Sequence, residues 1–370
     1  MSCVSYSKTV IPRLLTCAAV ALTPLALVAC TESSDPATTA ADADNITGQL
    51  VGEGASSQQN AMSVFQKAFI EAYPKADLSY NASGSGAGIE AFINGTATFA
   101  GSDSALKDEQ VDQAAVRCEG NPAWHLPSTI GPVAIAYHLD GVEETINLST
   151  QNLARIFSGE VTTWNDPAIG ADNPGVALPD KDITIIFRSD ESGTSDNFQK
   201  FLAASTGAWN SEGKQFPDTV GEGANGSAGV ADQVEKIDGA ITYVEAGFAQ
   251  GRENIRVATV DFGSGRVELN NQTVEAALDS LAFKDTDSPH NMVVDTEALF
   301  ASRGEGAYPL ILTTYNIVCS AGYDQSQSDL VKAFFSTALD NQGAQLEQAG
   351  FIPVTGTHLQ RLRDAVDAIA

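Results

Sequence analysis

A chain of 370 residues is longer than one hydrophobic core usually grows, so two domains are the default expectation. Its 43% apolar content suits a globular protein, while 20 Lys and Arg against 47 Asp and Glu leave a net charge of −27 that argues against nucleic acid or anionic lipid as partners. An anion could be bound only locally, by oriented dipoles and a few placed cations, because the long-range field has the wrong sign and is screened over roughly 8 Å.

The chain opens with the order of a secretory signal peptide. Lys8 and Arg13 precede an apolar stretch over residues 14–29. Leu27-Val28-Ala29-Cys30 has the pattern of a lipoprotein box, so residues 1–29 read as the signal and Cys30 as the lipidated residue; an ordinary signal with a coincidental cysteine is the alternative. Residues 30–45, rich in Thr, Ala, Ser and Asp, read as a flexible tether. This places the protein outside the cytoplasm, anchored to the cell membrane through Cys30. Cys3 and Cys17 leave with the signal, and the remaining Cys118 and Cys319 read as one disulfide or as two buried thiols. No CxxC or HxxxH spacing occurs, and His125, His138, His290 and His358 stand singly, so no metal is expected.

Past the tether, short apolar runs alternate with helical patterns, the signature of an α/β protein. Ala61, Phe65, Ala68 and Phe69 share a helical face, as do Ile89, Phe92 and Ile93, and later Phe198, Phe201 and Leu202. Strands are expected at 133–137, 183–187, 240–244 and 310–318, a helix over 325–338 and a short one after His358. Three helical patterns begin at small, glycine-containing, hydroxyl-rich turns: Gly54-Ala55-Ser56-Ser57, Gly84-Ser85-Gly86-Ala87-Gly88 and Ser192-Gly193-Thr194-Ser195. A helix start leaves N–H groups unpaired and carries partial positive charge, so each turn is a candidate anion site as well as an ordinary cap.

The third turn follows the strand at 183–187 within Arg188-Ser189-Asp190-Glu191-Ser192. Arg188 offers a fork of donors to an oxyanion, with Asp190 placed to steady it; a surface ion pair is the plain alternative. Asp103, in Gly101-Ser102-Asp103, adds an acceptor. A carboxylate repels a bare anion but accepts a hydrogen bond from one that carries a proton, as phosphate does at neutral pH and sulfate does not.

With these residues the chain resembles the PstS-type phosphate-binding proteins of the high-affinity phosphate ABC transporter. The resemblance rests on Gly52-Glu53-Gly54-Ala55-Ser56, the turn at Gly84, Gly101-Ser102-Asp103, Ile130-Gly131-Pro132-Val133, Ile156-Phe157-Ser158-Gly159, Trp164-Asn165-Asp166, Asn173-Pro174-Gly175, the motif from Arg188 to Ser195, and Gly239-Ala240-Ile241-Thr242-Tyr243-Val244-Glu245. It implies a two-domain periplasmic-binding-protein fold of the type II-like class, with the ligand cleft between lobes joined by crossing strands. Domain I would be 46–132 with 309–370, and domain II 133–308. Cys118 and Cys319 would both lie in domain I, which makes their pairing reasonable.

The resemblance further implies phosphate contacts from Ser56, the backbone of Ser57, Ser85 or Gly86, Arg188, Ser192, Gly193 and Thr194, with Asp103 accepting the phosphate proton and Asp190 behind Arg188. Ser57 stands where many members carry an aromatic residue, which suits a backbone contact. The implied function is capture of inorganic phosphate by a monomer and delivery to ABC permease subunits, without cofactor and without catalysis. A binding protein for another oxyanion, or a phosphatase on the same fold, is the alternative; no GxSxG elbow or two-metal cluster is present. Gly221-Glu222-Gly223-Ala224-Asn225-Gly226 fits GxGxxG but follows no buried strand, so it reads as a flexible connection rather than a dinucleotide site.

Overall fold

The computed structural model describes residues 45–279 and 281–370; the signal peptide, Cys30 and the tether up to residue 44 lie outside the described residues. Among the described residues the strands are β1 (Gly48–Gly54), β2 (Ala76–Asn81), β3 (Phe99–Ser102), β4 (Ala123–Tyr137), β5 (Asn147–Ser149), β6 (Thr184–Arg188), β7 (Glu222–Ala224), β8 (Ala240–Glu245), β9 (Arg256–Val257), β10 (Thr259–Asp261), β11 (Arg266–Val267) and β12 (Ile311–Cys319). Most join one sheet in the order β2-β1-β3-β12-β4-β8-β6-β7, with β9 also on β4; β11-β10-β5 forms a small second sheet. The outer groups β2-β1-β3 and β8-β6-β7 are parallel, whereas β12 and β4 run antiparallel to their neighbours. The α/β class expected from the alternating pattern is the observed one.

The fold turns on β4. Its first part, Ala123 to Pro132, pairs with β12, and its last part, Val133 to Tyr137, pairs with β8. The partner changes next to Pro132, which has no N–H to offer either neighbour. A second proline, Pro127, sits where the register with β12 shifts between Thr314 and Tyr315, leaving Ser128 as the extra residue; a bulge of this kind accommodates a proline inside a central strand. One 15-residue strand thus serves two halves of the sheet.

Each half has its own aromatic packing. On one side Phe99 lies 5.8 Å from Phe334 and 5.2 Å from Phe335, with Phe69 also on Phe334. On the other, Phe198 stacks on Tyr243 at 4.4 Å and meets Phe157 edge-on at 4.8 Å. The helical faces read from sequence supply Phe69 and Phe198 to this packing, in the helices Gln59–Ala72 and Gly193–Thr206. The halves are also laced by an irregular segment. Asn291 accepts from the backbone N–H of His125 at 2.9 Å, Met292 N donates to His125 O at 3.0 Å, and Val294 N donates to the Tyr315 hydroxyl at 3.0 Å.

Two expectations change. The strand expected at 133–137 is the end of a much longer one, and residues 221–226 are not a flexible connection. Glu222–Ala224 is a parallel strand on β6, and the helix Gly226–Lys236 opens directly after it. Among the described residues no helix is long and apolar enough to cross a membrane.

Cys118 and Cys319 form a disulfide with Cα atoms 5.4 Å apart, tying the end of the helix Asp108–Arg117 to the end of β12 across 201 residues of sequence. A crosslink over so long a loop stabilises by restricting the unfolded chain. Replacing both cysteines by Ala is expected to lower the unfolding free energy by about 2–4 kcal/mol, read from urea denaturation at equal slope; an unchanged midpoint would contradict this role.

Candidate functional site

The sequence brings the ends of β1, β3 and β6 to one place, each followed by a turn or helix start. At the end of β1, Gly54 has φ +138, and a Cβ there would fall 2.0 Å from Gly101 O on β3. Only glycine allows this approach, which carries the chain into Ser56 and Ser57. Ser57 Oγ donates to Asp103 Oδ1 at 2.6 Å, and Thr314 on β12 donates to the same oxygen at 2.7 Å. Asp103 follows β3 and is buried. Its other oxygen, Oδ2, stands 3.5 Å from both Ser85 Oγ and Thr194 Oγ1, while its backbone N–H donates to Ser85 Oγ at 3.1 Å.

The helix Ser85–Ile93 opens after Gly84. Here the sequence left open whether Ser85 or Gly86 faces the site. The Ser85 hydroxyl is directed to Asp103, whereas the N–H of Gly86 donates to Glu191 O at 3.0 Å.

The opposite wall is built on β6. Arg188 is 2% exposed, and its Nε and Nη2 donate to the two oxygens of Asp190 at 2.8 and 2.5 Å. Asp190 also accepts from Gly226 N at 3.0 Å. The remaining nitrogen, Nη1, reaches Ser227 Oγ at 3.2 Å and Thr194 Oγ1 at 3.4 Å. Ser227 in turn meets Ser56: their hydroxyls lie 3.0 Å apart, and Ser227 N donates to Ser56 Oγ at 3.0 Å.

Ser192 caps the helix Gly193–Thr206 by accepting from Ser195 N at 3.1 Å, which uses a lone pair and leaves its hydroxyl proton for another acceptor. A Cβ on Gly193 would lie 2.4 Å from Ser85 Oγ and 2.6 Å from Asp103 Cβ, so glycine lets this helix start approach the carboxylate. Thr194 Oγ1 donates to Glu245 Oε1 at 2.6 Å.

All of Ser56, Ser57, Ser85, Asp103, Arg188, Asp190, Ser192, Gly193 and Thr194 therefore converge. Three further residues join them that sequence reasoning did not select. Ser227 begins the helix after Gly226, in a turn of the same small, hydroxyl-bearing kind as the three that were selected. Glu245 ends β8, and Thr314 lies inside β12, where nothing distinguishes its hydroxyl from that of Thr313 beside it or of Thr242 on β8. None of the converging residues is a histidine. His125 is engaged elsewhere, by Leu106 N and Asn291, and burial pushes it down to about 4. Among the described residues His138, Asp140 and Asp238 group closely enough to offer three metal-ligand atoms, but Asp238 already pairs with Lys181.

Electrostatically the site is a cation that is already matched and a carboxylate that is not. Burial disfavours the charge on Arg188, but the hydrogen bonds and charge of Asp190 outweigh it and hold the guanidinium more firmly charged than usual. Asp190 is driven the other way: burial would raise it, and Arg188 brings it below its ordinary value. Asp103 is pushed up from 3.8 to about 6, chiefly by burial and then by the charge of Glu245, against the bonds from Ser57 and Thr314 and the charge of Arg188. A carboxyl raised on folding binds its proton more tightly in the folded state, so its stabilising contribution is present below about pH 4 and is lost as pH rises to about 6. Ligand-free protein is thus expected to lose on the order of 2–3 kcal/mol across that window relative to Asp103→Asn. Urea unfolding of both proteins at the two ends of the window checks this, and a stability difference that stays constant with pH would refute it.

With this geometry in place, comparison with known proteins gives a consistent result. The family model described as a PBP superfamily domain matches residues 36–341. The phosphate-binding protein PstS2 of Mycobacterium bovis is 41% identical over 327 residues, covering 87% of each chain. The phosphate-binding protein PstS of Xylella fastidiosa is 30% identical over 281 residues, covering 75% of this chain and 74% of its own. In fold, the chain is similar to the crystal structure of a phosphate-binding protein from Stenotrophomonas maltophilia, with a TM-score of 0.65 at 21% identity over 86% of this chain and 94% of that one. The two-lobed α/β architecture and the sequence relatives agree: this chain belongs to the PBP superfamily and, within it, to the PstS family of phosphate-binding proteins.

Proposed function

We propose that this protein captures inorganic phosphate outside the cytoplasm and delivers it to the membrane subunits of an ABC importer, as a monomer anchored through a lipid on Cys30 and without catalysing a reaction. The observation that carries the reading is the pairing of a buried acceptor, Asp103, with a guanidinium already neutralised by Asp190. A site with that charge balance is poorly suited to a fully deprotonated anion and well suited to one that brings its own hydrogen. The donors would be Arg188 Nη1, the hydroxyls of Ser56, Ser85 and Ser192, and backbone N–H groups of Ser57, Gly193 and Thr194 at helix starts. Gly86, whose N–H serves Glu191, would contribute closeness of backbone rather than a donor. The relatives named as phosphate-binding proteins give the same ligand.

Residues 46–132 with 309–370 would form one lobe and 133–308 the other. The change of partner along β4 between Pro132 and Val133 supports that boundary, and the contacts of Asn291, Met292 and Val294 with the first lobe qualify it. Ligand between the lobes would favour the closed form, which a transporter can distinguish from the open one.

Isothermal titration of ligand-stripped protein beginning after Cys30 is expected to show saturable one-to-one phosphate binding and no sulfate response. In Asp103→Asn the preference for phosphate over sulfate is expected to shrink by at least about tenfold, the equivalent of ~1.4 kcal/mol. Unchanged selectivity would remove the role given to Asp103, and hydrolysis of an aryl phosphate that vanishes in Arg188→Ala would replace binding by catalysis.

A further inference from the structure

A hydroxyl has one hydrogen to give, and that of Thr194 points at Glu245 Oε1, 2.6 Å away. Once it donates there, it presents only lone pairs to the rest of the site. Arg188 Nη1 fits that polarity, donating to it from 3.4 Å, whereas Asp103 Oδ2, an acceptor at 3.5 Å, is left without that hydrogen. Glu245 itself is 1% exposed, and its second oxygen, Oε2, has no hydrogen-bond partner. The charged and titratable groups around it are Asp103 after β3, Arg188 with Asp190 on β6 and its following turn, and Tyr243 two residues earlier on β8, whose hydroxyl meets Ser195 Oγ at 2.7 Å. From β4 it is met by Gly131, beside Phe351, and neither brings a charge.

The balance of charge is then unusual for an anion site. Arg188 is matched by Asp190, which leaves two buried carboxylates, Asp103 and Glu245, with no cation of their own. Adding a doubly charged ligand would set four negative charges against each other in a site closed to water, a cost that protonation relieves.

Resting on the reading of this site as one for phosphate, we propose that Glu245, acting through Thr194, is a second proton-accepting group of the site, so that phosphate is held with one hydrogen more than the monohydrogen dianion carries. One ligand hydroxyl donates a hydrogen bond to Asp103, and another donates one to Thr194 Oγ1, whose own hydrogen stays bonded to its oxygen and directed at Glu245 Oε1. The extra proton comes from solvent when the free ligand is the dianion, and it returns to solvent on release. The preferred species is therefore dihydrogen phosphate, and Glu245 is a specificity-determining residue through the polarity it imposes on Thr194.

The test is a proton count. Titration of phosphate into the protein at about pH 8, in two buffers of different ionisation enthalpy, is expected to show uptake of about one proton per phosphate bound, and affinity for total phosphate that falls about tenfold per pH unit above neutrality. Glu245→Gln keeps the shape and removes the charge; it is expected to bring the uptake near zero and to flatten the pH dependence. Thr194→Val breaks the relay and is expected to do the same to the proton count even where affinity drops. Phosphate binding without proton uptake by the parent protein, or with the same uptake in both variants, would overturn the role of Glu245 and leave the functional reading standing. Failure of the folded parent protein to bind phosphate at all would overturn both.

Discussion

The carboxylate of Asp103 is the point at which the two halves of the chain meet. From one side it is held by Ser57, Ser85 and Thr314, in the turn after β1, on a helix start and on β12. From the other, Thr194 approaches its side chain, and Asn197 donates to its backbone carbonyl at 2.6 Å. A buried carboxylate is tolerable only if its oxygens are well supplied with donors, and here Ser57 and Thr314 of the first half supply them while Asn197 of the second holds the backbone carbonyl. The same requirement explains why the residues packed against it are so small. Gly54 and Gly193 stand where any Cβ would collide with backbone or with Asp103 itself.

What holds that meeting point in place is the path of β4 and β12. Helices that start after the ends of parallel strands aim their N–H groups beyond those ends, and here the groups β1/β3 and β6/β8, which run in opposite directions along the sheet, bring their ends together at one crevice. β1, β3, β6 and β8 end at this crevice, and β4 continues from one half into the other, so the spacing of the walls is set by a continuous strand rather than by loose loops. The two prolines of β4 sit at its bulge and at its change of partner, the places where a missing donor does least harm. Against a net charge of −27, this arrangement makes anion binding a matter of short-range hydrogen bonds, with Arg188 providing orientation more than net charge.

The sequence revealed the parts of this arrangement that carry a periodic or compositional signal. The strands at 183–187, 240–244 and 310–318 are found at Thr184–Arg188, Ala240–Glu245 and Ile311–Cys319, because continuous apolar runs in a buried parallel or mixed sheet read clearly. The first part of β4 did not read at all. Trp124, His125, Pro127, Ser128 and Thr129 are all buried in a central strand, yet polar residues and a proline there look like a loop until their partners Asn291, Gln58 and Asn316 are known. Among site residues, glycine-and-hydroxyl turns flagged Ser56, Ser85 and Thr194, and the same cue at Gly226-Ser227 was masked by its overlap with a glycine motif of another kind. Glu245 and Thr314 gave no cue, since a residue at a strand end or within a strand becomes part of a site only through what stands across from it.

The most direct test of the account is a crystal structure of the protein with phosphate bound. It requires one tetrahedral anion between the halves, within hydrogen-bond distance of Asp103, Arg188 Nη1 and Thr194, with Asp190 still on the far side of the guanidinium. Phosphate found instead beside Arg361 in the cavity of about 730 Å³ lined by Phe283, Ile352 and His358, with the space between Asp103 and Arg188 left to direct protein contacts, would contradict it.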